Sequence, residues 1–174
     1  MEKPASYSIR AATEDDLPAL VAMRGALQAH MLAETPELFD LSPGWQGRKA
    51  EDYRRSIEDP DAYLAVAAAP DDVPLGMGLA SILHNADLDP ADLGKLDDIW
   101  VEPQRRREGI GSAIVAALLN FLGARGIEAL FLHYATGNRT AERFWTERGF
   151  RPVLVMANAQ RDRAFDLVQR QGRS

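Results

Sequence analysis

The sequence predicts an α/β fold with a mixed β-sheet in one domain. The chain has 174 residues, of which 46% are hydrophobic, and a chain of this size buries roughly two-thirds of its unfolded surface in one core. Two apolar runs joined by a short turn in the first half predict an antiparallel pair of strands. Alternating strand-like and helical segments in the second half predict a βαβαβ series. We expect one domain over residues 1–169 and a frayed tail over 170–174.

The chain begins with a predicted strand and helix. Residues 7–11 form a short strand-like segment, and the acidic pattern at 13–16 is typical of a helix start. Apolar residues recur at helical spacing from Leu17 to Met31, which places one apolar stripe on the helix. Pro36 is expected to end it.

A second helix and a hairpin follow. The helix is predicted over residues 46–58, with its basic residues on a solvated face. The apolar runs 62–69 and 75–83 are separated by the Pro- and Asp-rich segment 70–74, which predicts a β-hairpin. The polar connection 84–94 is expected to be mobile.

The second half contains the βαβαβ series. Strands are expected at 96–102, 128–135 and 150–157, and helices at 109–125 and 138–148. The antiparallel hairpin before this series is the reason to expect a mixed sheet and not a purely parallel one.

Composition excludes several classes of function. A net charge of −6 disfavours a nucleic-acid partner, because phosphate binding needs a basic face. The absence of cysteine excludes disulfides and thiolate chemistry. No run approaches the ~18 apolar residues of a membrane span and no signal-peptide core is present, so we expect no membrane association and a cytoplasmic location. The three histidines lack a ligand spacing, and we expect no metal.

The turn from Arg106 to Ser112 has the chemistry of an anion site. It connects a strand that breaks at Pro103 to the start of a helix, where unpaired N–H groups and the helix dipole favour a phosphate. Glycine at 109 and 111 lets phosphate oxygens approach the backbone, including the backbone of Ile110 between them.

Arginines beside these glycines support the same interpretation. Arg106 and Arg107 would add charge-assisted hydrogen bonds to a phosphate. A P-loop is excluded because no Gly-Lys-Ser/Thr follows, and the third glycine of a Rossmann fingerprint is missing. The alternative is that the glycines merely turn the chain and the arginines are solvated. An apolar helix face after the turn argues against a free loop.

Two motifs in this order resemble the GCN5-related N-acetyltransferases, the GNAT family. The family's apolar strand, Val-x-Pro and R-x-x-G-x-G/A pattern appears as residues 99–103 and Arg106 to Gly111. Its later Asn-x-x-Ala-x-x-Phe-Tyr-x-x-x-Gly-Phe pattern runs from Asn138 to Phe150, with Phe144 and Trp145 at its aromatic positions.

The resemblance covers nearly the whole chain and implies both fold and cofactor. It implies a sheet of six to seven strands with strands four and five splayed apart, about four helices, and acetyl-CoA as acyl donor. The backbone of Val101 would pair with the pantetheine arm, residues 106–112 would hold the pyrophosphate, and Asn138 and Phe144 would contact the cofactor. A homodimer is plausible from the resemblance.

The resemblance fails at one position. The family often has a tyrosine, which protonates the leaving thiolate, where this chain has Trp145. An indole N–H does not give up its proton near neutral pH. Tyr134, on the predicted strand 128–135, is the reserve candidate for the acid. Both aromatics have an alternative role as packing residues.

A base is needed because the attacking amine must be neutral. Asp97 and Asp98 are candidates, and strand periodicity predicts that they point to opposite faces, with Asp97 on the face of Ile99 and Val101. The surrounding run resembles polyamine acetyltransferases of the family, which raises small polyamines as acceptors. His133 is a further candidate, and solvated or ion-paired strand surface is the alternative for all three.

The expected function is therefore an N-acetyltransferase acting on a primary amine of a small molecule or peptide, by direct attack in a ternary complex. A non-catalytic acyl-CoA-binding module is the first alternative, because of Trp145. A structural or partner-binding domain is the second, and it leaves the Gly-x-Gly helix start unexplained.

Overall fold

A computed structural model of the protein describes residues 7–36 and 39–171. Within them, five strands form one sheet: β1 Ser8–Ala11, β2 Ala62–Ala68, β3 Pro74–His84, β4 Asp92–Val101 and β5 Leu130–Leu132. Five α-helices accompany it: α1 Leu17–Glu34, α2 Trp45–Glu58, α3 Ile110–Gly123, α4 Arg139–Thr146 and α5 Arg161–Gln171. Short 3-10 turns precede α1 and α3, at Glu14–Asp16 and Pro103–Arg105.

The sheet is mixed, as predicted. Strands lie in chain order, with antiparallel pairing from β1 through β4 and a parallel pair between β4 and β5. The last parallel pair is Leu96 with Leu132, while β4 continues to Val101. Because β5 ends at Leu132, residues 97–101 of β4 have no parallel partner there, and the splay between strands four and five stays a prediction.

Each face of the sheet is covered by its own helices. On one face, α1 and α2 pack over a cluster that includes Leu20, Tyr53 and Trp100. On the other face, α3 and α4 pack over a cluster that includes Ile114 and Trp145. The end of β4, which extends beyond β5, contributes residues to both clusters and lies between the two helical layers.

The first helix is anchored to β1 by a partly buried ion pair. Asp16 has a 6% exposed side chain, and its oxygens accept hydrogen bonds from Arg10 Nη1 at 2.7 Å and Nη2 at 2.9 Å. The same carboxylate accepts from the backbone N–H of Thr13, which completes a capping box at the helix start predicted there. Bidentate pairing of this kind is among the stronger polar interactions.

Several predicted boundaries need correction. The strand predicted at 128–135 is limited to Leu130–Leu132, and β4 begins at Asp92, inside the connection predicted at 84–94. Helix α1 ends at Glu34, two residues before the proline. The hairpin and α2 are confirmed within one or two residues.

The largest error concerns the C-terminus. Residues 150–157 belong to neither a helix nor a strand in the described part of the chain, so the count there is five strands and not six or seven. A fifth helix, α5, was not predicted and runs through Arg170 and Gln171, part of the expected frayed tail. Residues 172–174 lie outside the described residues. None of the described helices combines the length and apolar character needed to cross a bilayer.

Replacing Asp16 by Asn should lower the free energy of unfolding at pH 7 by about 1.5–3 kcal/mol, because Arg10 loses a charged partner. The hydrogen bonds from Arg10 hold the pKa of Asp16 below its usual value. A depressed folded-state pKa stabilises the fold above the unfolded pKa of about 4, and that contribution disappears as pH falls through the folded value. The difference between wild type and Asp16→Asn should therefore shrink in acid, as measured by urea unfolding at pH 7 and pH 3.

Asp15→Asn is the matched control, since Asp15 is the exposed neighbour on the same turn. It should leave stability nearly unchanged at both pH values. Equal losses for the two variants at pH 7 would contradict the assignment of Asp16 as the anchor.

Candidate functional site

The turn before α3 has the backbone conformation of an anion-binding loop. Arg107 and Gly109 both adopt left-handed conformations, with φ of 66° and 83°, and α3 begins at Ile110. Gly109 is a glycine for a conformational reason, because other residues adopt this φ at a cost. Left-handed residues in a turn direct successive N–H groups into a concavity that suits an anion.

Gly111 is a glycine for a different reason. Its φ is not positive, and a Cβ built there would lie 3.7 Å from Val101 Cγ2 and 3.7 Å from Phe144 Cε2, which are ordinary contacts. Neither backbone strain nor packing within the chain requires glycine at this position. The missing side chain leaves a surface open at the first turn of α3, where a ligand's phosphate would approach.

Val101 turns its backbone toward the gap between β4 and β5. The N–H of Glu102 donates to Leu75 O at 2.9 Å, so Val101 and Gly76 form a non-hydrogen-bonded antiparallel pair. In such a pair the N–H and C=O of Val101 point away from β3. The carbonyl accepts from Arg106 Nε at 3.1 Å.

Arg106 therefore folds back onto the strand end, while the residue remains exposed. Its guanidinium carbon also lies 4.6 Å from the ring centroid of Trp100, a cation–π distance. This placement differs from the expectation that Arg106 projects toward a phosphate, because the carbonyl of Val101 and the indole offer it partners within the chain.

Phe144 of α4 lies beside the same turn, and Asn138 stands at the start of that helix. Asn138 is 8% exposed, and its Oδ1 caps α4 by accepting from the N–H of Ala141 at 2.9 Å. Phe144 is half-buried and contacts the first turn of α3. The structure thus brings Val101 and Phe144 together at the first turn of α3, whereas Asn138 lies at the start of α4.

Arg148 is a cation at this site that the sequence analysis did not single out. Its Nη2 donates to Ser112 Oγ at 2.6 Å, Nη1 donates to Phe144 O at 2.7 Å, and its guanidinium stacks 3.5 Å from the Phe144 ring centroid. The signal that points to it is its position, one turn after the motif aromatic Phe144. It places a positive charge against the first turn of α3.

A bulge in β4 overturns the predicted orientation of the two aspartates. Asp98 has a φ of 51°, and the register with β3 shifts between Met77 and Leu79. Ile99 and Val101 pack in the α3 layer, whereas Asp98 contacts Tyr53 of α2. The charge of Asp97 also acts on Tyr53.

Asp97 and Asp98 therefore share the α1–α2 face, and the prediction that Asp97 lies with Ile99 and Val101 is wrong. Strict alternation fails because the bulge inserts one extra residue into β4.

Asp98 is the centre of a buried ionic cluster. Its side chain is 10% exposed, and it pairs with Arg24 Nε at 3.0 Å and Lys49 Nζ at 2.8 Å. Tyr53 donates to the same carboxylate at 3.0 Å. Burial first, and then the charge of Asp98, raise the pKa of Tyr53 well above its usual value, so its phenol remains a donor.

The cluster continues along α1 toward the α1–α2 connection. Arg24 Nη1 donates to Gln28 Oε1 at 3.1 Å, and Gln28, 6% exposed, donates to Phe39 O at 2.8 Å. On the other side, the N–H of Gly137 donates to Thr35 Oγ1 at 3.1 Å. These bonds attach the C-terminal half of α1 to the β4 bulge and to the loop after β5.

Asp97 is less enclosed than Asp98. Its side chain is 31% exposed and pairs with Lys95 Nζ at 2.7 Å. Nearby, the Nε1 of Trp100 is buried without a hydrogen-bond partner in the part of the chain that the structure describes, and His30 packs edge-on against that indole at 6.0 Å. Both aspartates thus have basic partners, so the pair does not add unneutralised negative charge to this face.

The remaining candidates lie in the α3–α4 layer or at the surface. Trp145 is 7% exposed and makes edge-to-face contacts with Phe144 and Phe150 at 4.9 and 5.2 Å. Tyr134 is half-buried in the same layer, on the face opposite to the aspartates. His133 is exposed. No three His, Asp or Glu side chains within residues 7–36 and 39–171 converge as metal ligands.

A comparison with protein families identifies the chain. The profile of the Acetyltransferase (GNAT) family matches residues 27–150, well over half of the sequence. The chain belongs to the GNAT family. This confirms the resemblance drawn from the Gly-x-Gly turn and the later aromatic motif, and it places all of β2 to α4 inside the family's shared region.

One curated relative covers only part of this GNAT protein. N-alpha-acetyltransferase 60 of Drosophila melanogaster is 38% identical over 63 residues, which are 34% of this chain and 23% of that protein. The match thus spans about a quarter of the relative's length.

Solved structures share the fold. A predicted acetyltransferase with acetyl-CoA from Clostridium acetobutylicum is 14% identical with a TM-score of 0.67, over 88% of this chain and 96% of that one. A Trypanosoma brucei acetyltransferase is 20% identical with a TM-score of 0.64, over 88% and 99%. A GCN5-related N-acetyltransferase from Ralstonia eutropha is 17% identical with a TM-score of 0.68, over 88% and 98%. Identities this low support the fold alone.

Replacing Asp98 by Asn should destabilise this GNAT protein by about 3 kcal/mol, because Arg24 and Lys49 would lose their buried counter-charge. Asp97→Asn is the control, since its partly exposed pair with Lys95 should contribute less than about 1 kcal/mol. Urea unfolding measures both free energies. Similar losses for the two variants would show that the cluster does not anchor the bulge.

Proposed function

We propose that this protein transfers an acetyl or other acyl group from acetyl-CoA to a primary amine of a small molecule or peptide. The amine attacks directly, in a ternary complex. Membership of the GNAT family supports the class of reaction. The observation that carries the proposal is Gly111, whose missing side chain leaves the first turn of α3 open although nothing within the chain requires glycine there.

The residues around that turn fit the cofactor. The N–H groups at the start of α3 and the cations Arg107 and Arg148 supply donors and charge for a pyrophosphate. Val101 directs its backbone into the gap between β4 and β5, where an extended amide chain would add as a strand does. We assign Ile110, Ser112, Asn138 and Phe144 to the same site, with Ile110, which is 1% exposed, contributing its backbone N–H.

Arg106 has a double role under this proposal. Its Nε donates a hydrogen bond to the carbonyl of Val101, and the pantetheine arm would pair with that same carbonyl. Cofactor binding would therefore release Arg106 from Val101 and from the Trp100 ring, and free its guanidinium to face the phosphates. The displaced contacts are a hydrogen bond and a cation–π contact, each worth about 1 kcal/mol.

Bound acetyl-CoA would supply the acyl group as a thioester, and the chain must then accept a proton from the amine. Asp98 is a poor acceptor because protonation would break its ion pairs with Arg24 and Lys49. Asp97 is the better candidate base, since it is partly exposed and has one partner. Asp98 instead positions this face of β4. Tyr134 remains the proposed acid, with His133 as the second candidate base.

The choice of acceptor depends on the charge of the α1–α2 face. Each aspartate there has at least one basic partner, so the electrostatic reason for a polyamine is weakened. A partial relative is named as an N-alpha-acetyltransferase, which keeps peptide amines among the proposed acceptors. The proposal therefore extends to primary amines in general.

A non-catalytic acyl-CoA-binding module is the second candidate. Trp145 favours it, because this residue packs in the core between Phe144 and Phe150 and cannot deliver a proton. In that case the cofactor site would be complete and turnover absent.

Gly111→Asp should reduce acetyl-CoA affinity at least 100-fold, because its carboxylate would face the pyrophosphate at close range. Gly47→Asp is a matched control: it introduces the same residue into the first turn of α2, where a Cβ meets nothing within 4 Å. Isothermal titration calorimetry should give wild-type affinity for the control. Wild-type affinity for Gly111→Asp, or no binding by the parent at millimolar acetyl-CoA, would contradict the cofactor site.

Release of CoA, assayed across a panel of amines, separates the enzyme from the binding module. The parent should turn over at least one primary amine, and Asp97→Asn should lower kcat roughly 100-fold. Asp71→Asn, at an exposed turn, is the control and should leave kcat unchanged. Trp145→Tyr tests whether a family-like tyrosine raises turnover. Turnover of no amine by a parent that binds acetyl-CoA would favour the module.

A further inference from the structure

The polar groups that meet at Asp98 carry an excess of positive charge. Arg24 Nε and Lys49 Nζ lie 3.0 and 2.8 Å from its carboxylate oxygens, so two cations share one anion. The neighbouring Asp97 has a cation of its own, Lys95, and does not offset this excess. The side of β4 that faces α1 and α2 therefore favours a further anion at this position.

Hydrogen-bond donors are in excess at the same position. Arg24 pairs through Nε with Asp98 and donates from Nη1 to Gln28, and Lys49 pairs with Asp98 through an ammonium that has three N–H groups. The carboxylate of Asp98 is already shared by both cations and the Tyr53 phenol. The side chains of Arg24 and Lys49 are 18% and 25% exposed, so a small ligand with acceptor oxygens can reach them.

Trp100 adds a donor that is buried and unpaired. The residue is 6% exposed, and its Nε1 has no hydrogen-bond partner among residues 7–36 and 39–171. It follows Asp98 by two positions on β4 and packs in the same cluster as Tyr53, with His30 of α1 against its ring. Because a buried N–H without a partner is costly, this one favours a ligand atom that accepts from it.

Arg106 covers the Trp100 ring, with its guanidinium carbon 4.6 Å from the ring centroid. Under the proposed function, cofactor binding draws this guanidinium toward the phosphates and uncovers the indole. The cofactor then lies at the first turn of α3, beside Phe144. The opposite side of β4, with Arg24 and Lys49, is left for the amine.

We infer that the acceptor is an amine that also carries a carboxylate, as a free amino acid does, and that Arg24, Lys49 and Trp100 Nε1 bind this carboxylate. The inference rests on the proposed function and narrows its class of acceptor. The amino group is then placed on the side of Asp97, the candidate base next to Asp98 along β4. A polyamine, by contrast, brings positive charge to a position that already has an excess of it.

Matched acceptors test the carboxylate subsite. Release of CoA is measured at one pH with each of the standard amino acids, with its carboxamide, and with spermidine. The parent should prefer at least one acid over its carboxamide by about tenfold or more in kcat/KM, mainly through KM, because a charged hydrogen-bond partner contributes on this scale. A carboxylate makes the neighbouring amine harder to deprotonate, so the amine itself cannot produce this preference.

Two variants locate the subsite. Lys49→Gln removes the ammonium, and Trp100→Phe removes the N–H but keeps an aromatic ring under Arg106. Each should reduce the preference for the acid to about threefold or less. Arg55→Gln is the matched control, because Arg55 is a 70% exposed cation on the same helix as Lys49, paired with Glu51, and its variant should keep the wild-type preference. Far-UV circular dichroism verifies folding, and Trp100→Phe decides if Lys49→Gln does not fold.

The outcomes separate this inference from the proposed function. Equal turnover of acids and carboxamides by the parent, or turnover of spermidine but of no amino acid, would overturn the inference and leave the acetyltransferase standing. An unchanged preference in either folded variant, or a lost preference in Arg55→Gln, would also overturn it. A parent that binds no acetyl-CoA or turns over no amine contradicts the proposed function, and the carboxylate subsite falls with it.

Discussion

The site depends on the ionic cluster that holds the bulge of β4. Asp98 occupies a left-handed conformation, and Arg24, Lys49 and Tyr53 hold its carboxylate from α1 and α2. The bulge shifts the register with β3, and the strand beyond it turns the backbone of Val101 toward the gap beside β5. One polar anchor thus links the helical layer on one face to the strand end that carries the proposed cofactor site.

Binding and catalysis rest on different kinds of structure in this protein. The proposed cofactor site uses backbone groups and an absent side chain: the free edge at Val101, the helix start at Ile110 and the open surface at Gly111. Proton transfer would use side chains, and those are divided between faces, with Asp97 on one and Tyr134 on the other. An amine and the thioester would have to meet between them, beside the end of β4.

The sequence predicts much of the fold because its signals are local. Gly109 and Gly111 identify the turn, and the apolar runs identify the hairpin and α3. The bulge at Asp98 could not be predicted, because its left-handed conformation depends on partners 49 and 74 residues away along the chain, at Lys49 and Arg24. The segment 150–157 has the apolar pattern of a strand, but a strand also needs a neighbour. Arg106 was assigned to phosphate because its alternative partner, the carbonyl of Val101, is visible only in three dimensions.

Amide chemical shifts of the labelled protein, recorded during titration with acetyl-CoA, test the central claim most directly. The account predicts that the largest changes fall at Val101 and at residues 109–112, with smaller changes near Asn138. Saturable binding that leaves those amides unchanged and moves others would contradict the placement of the cofactor in the gap between β4 and β5.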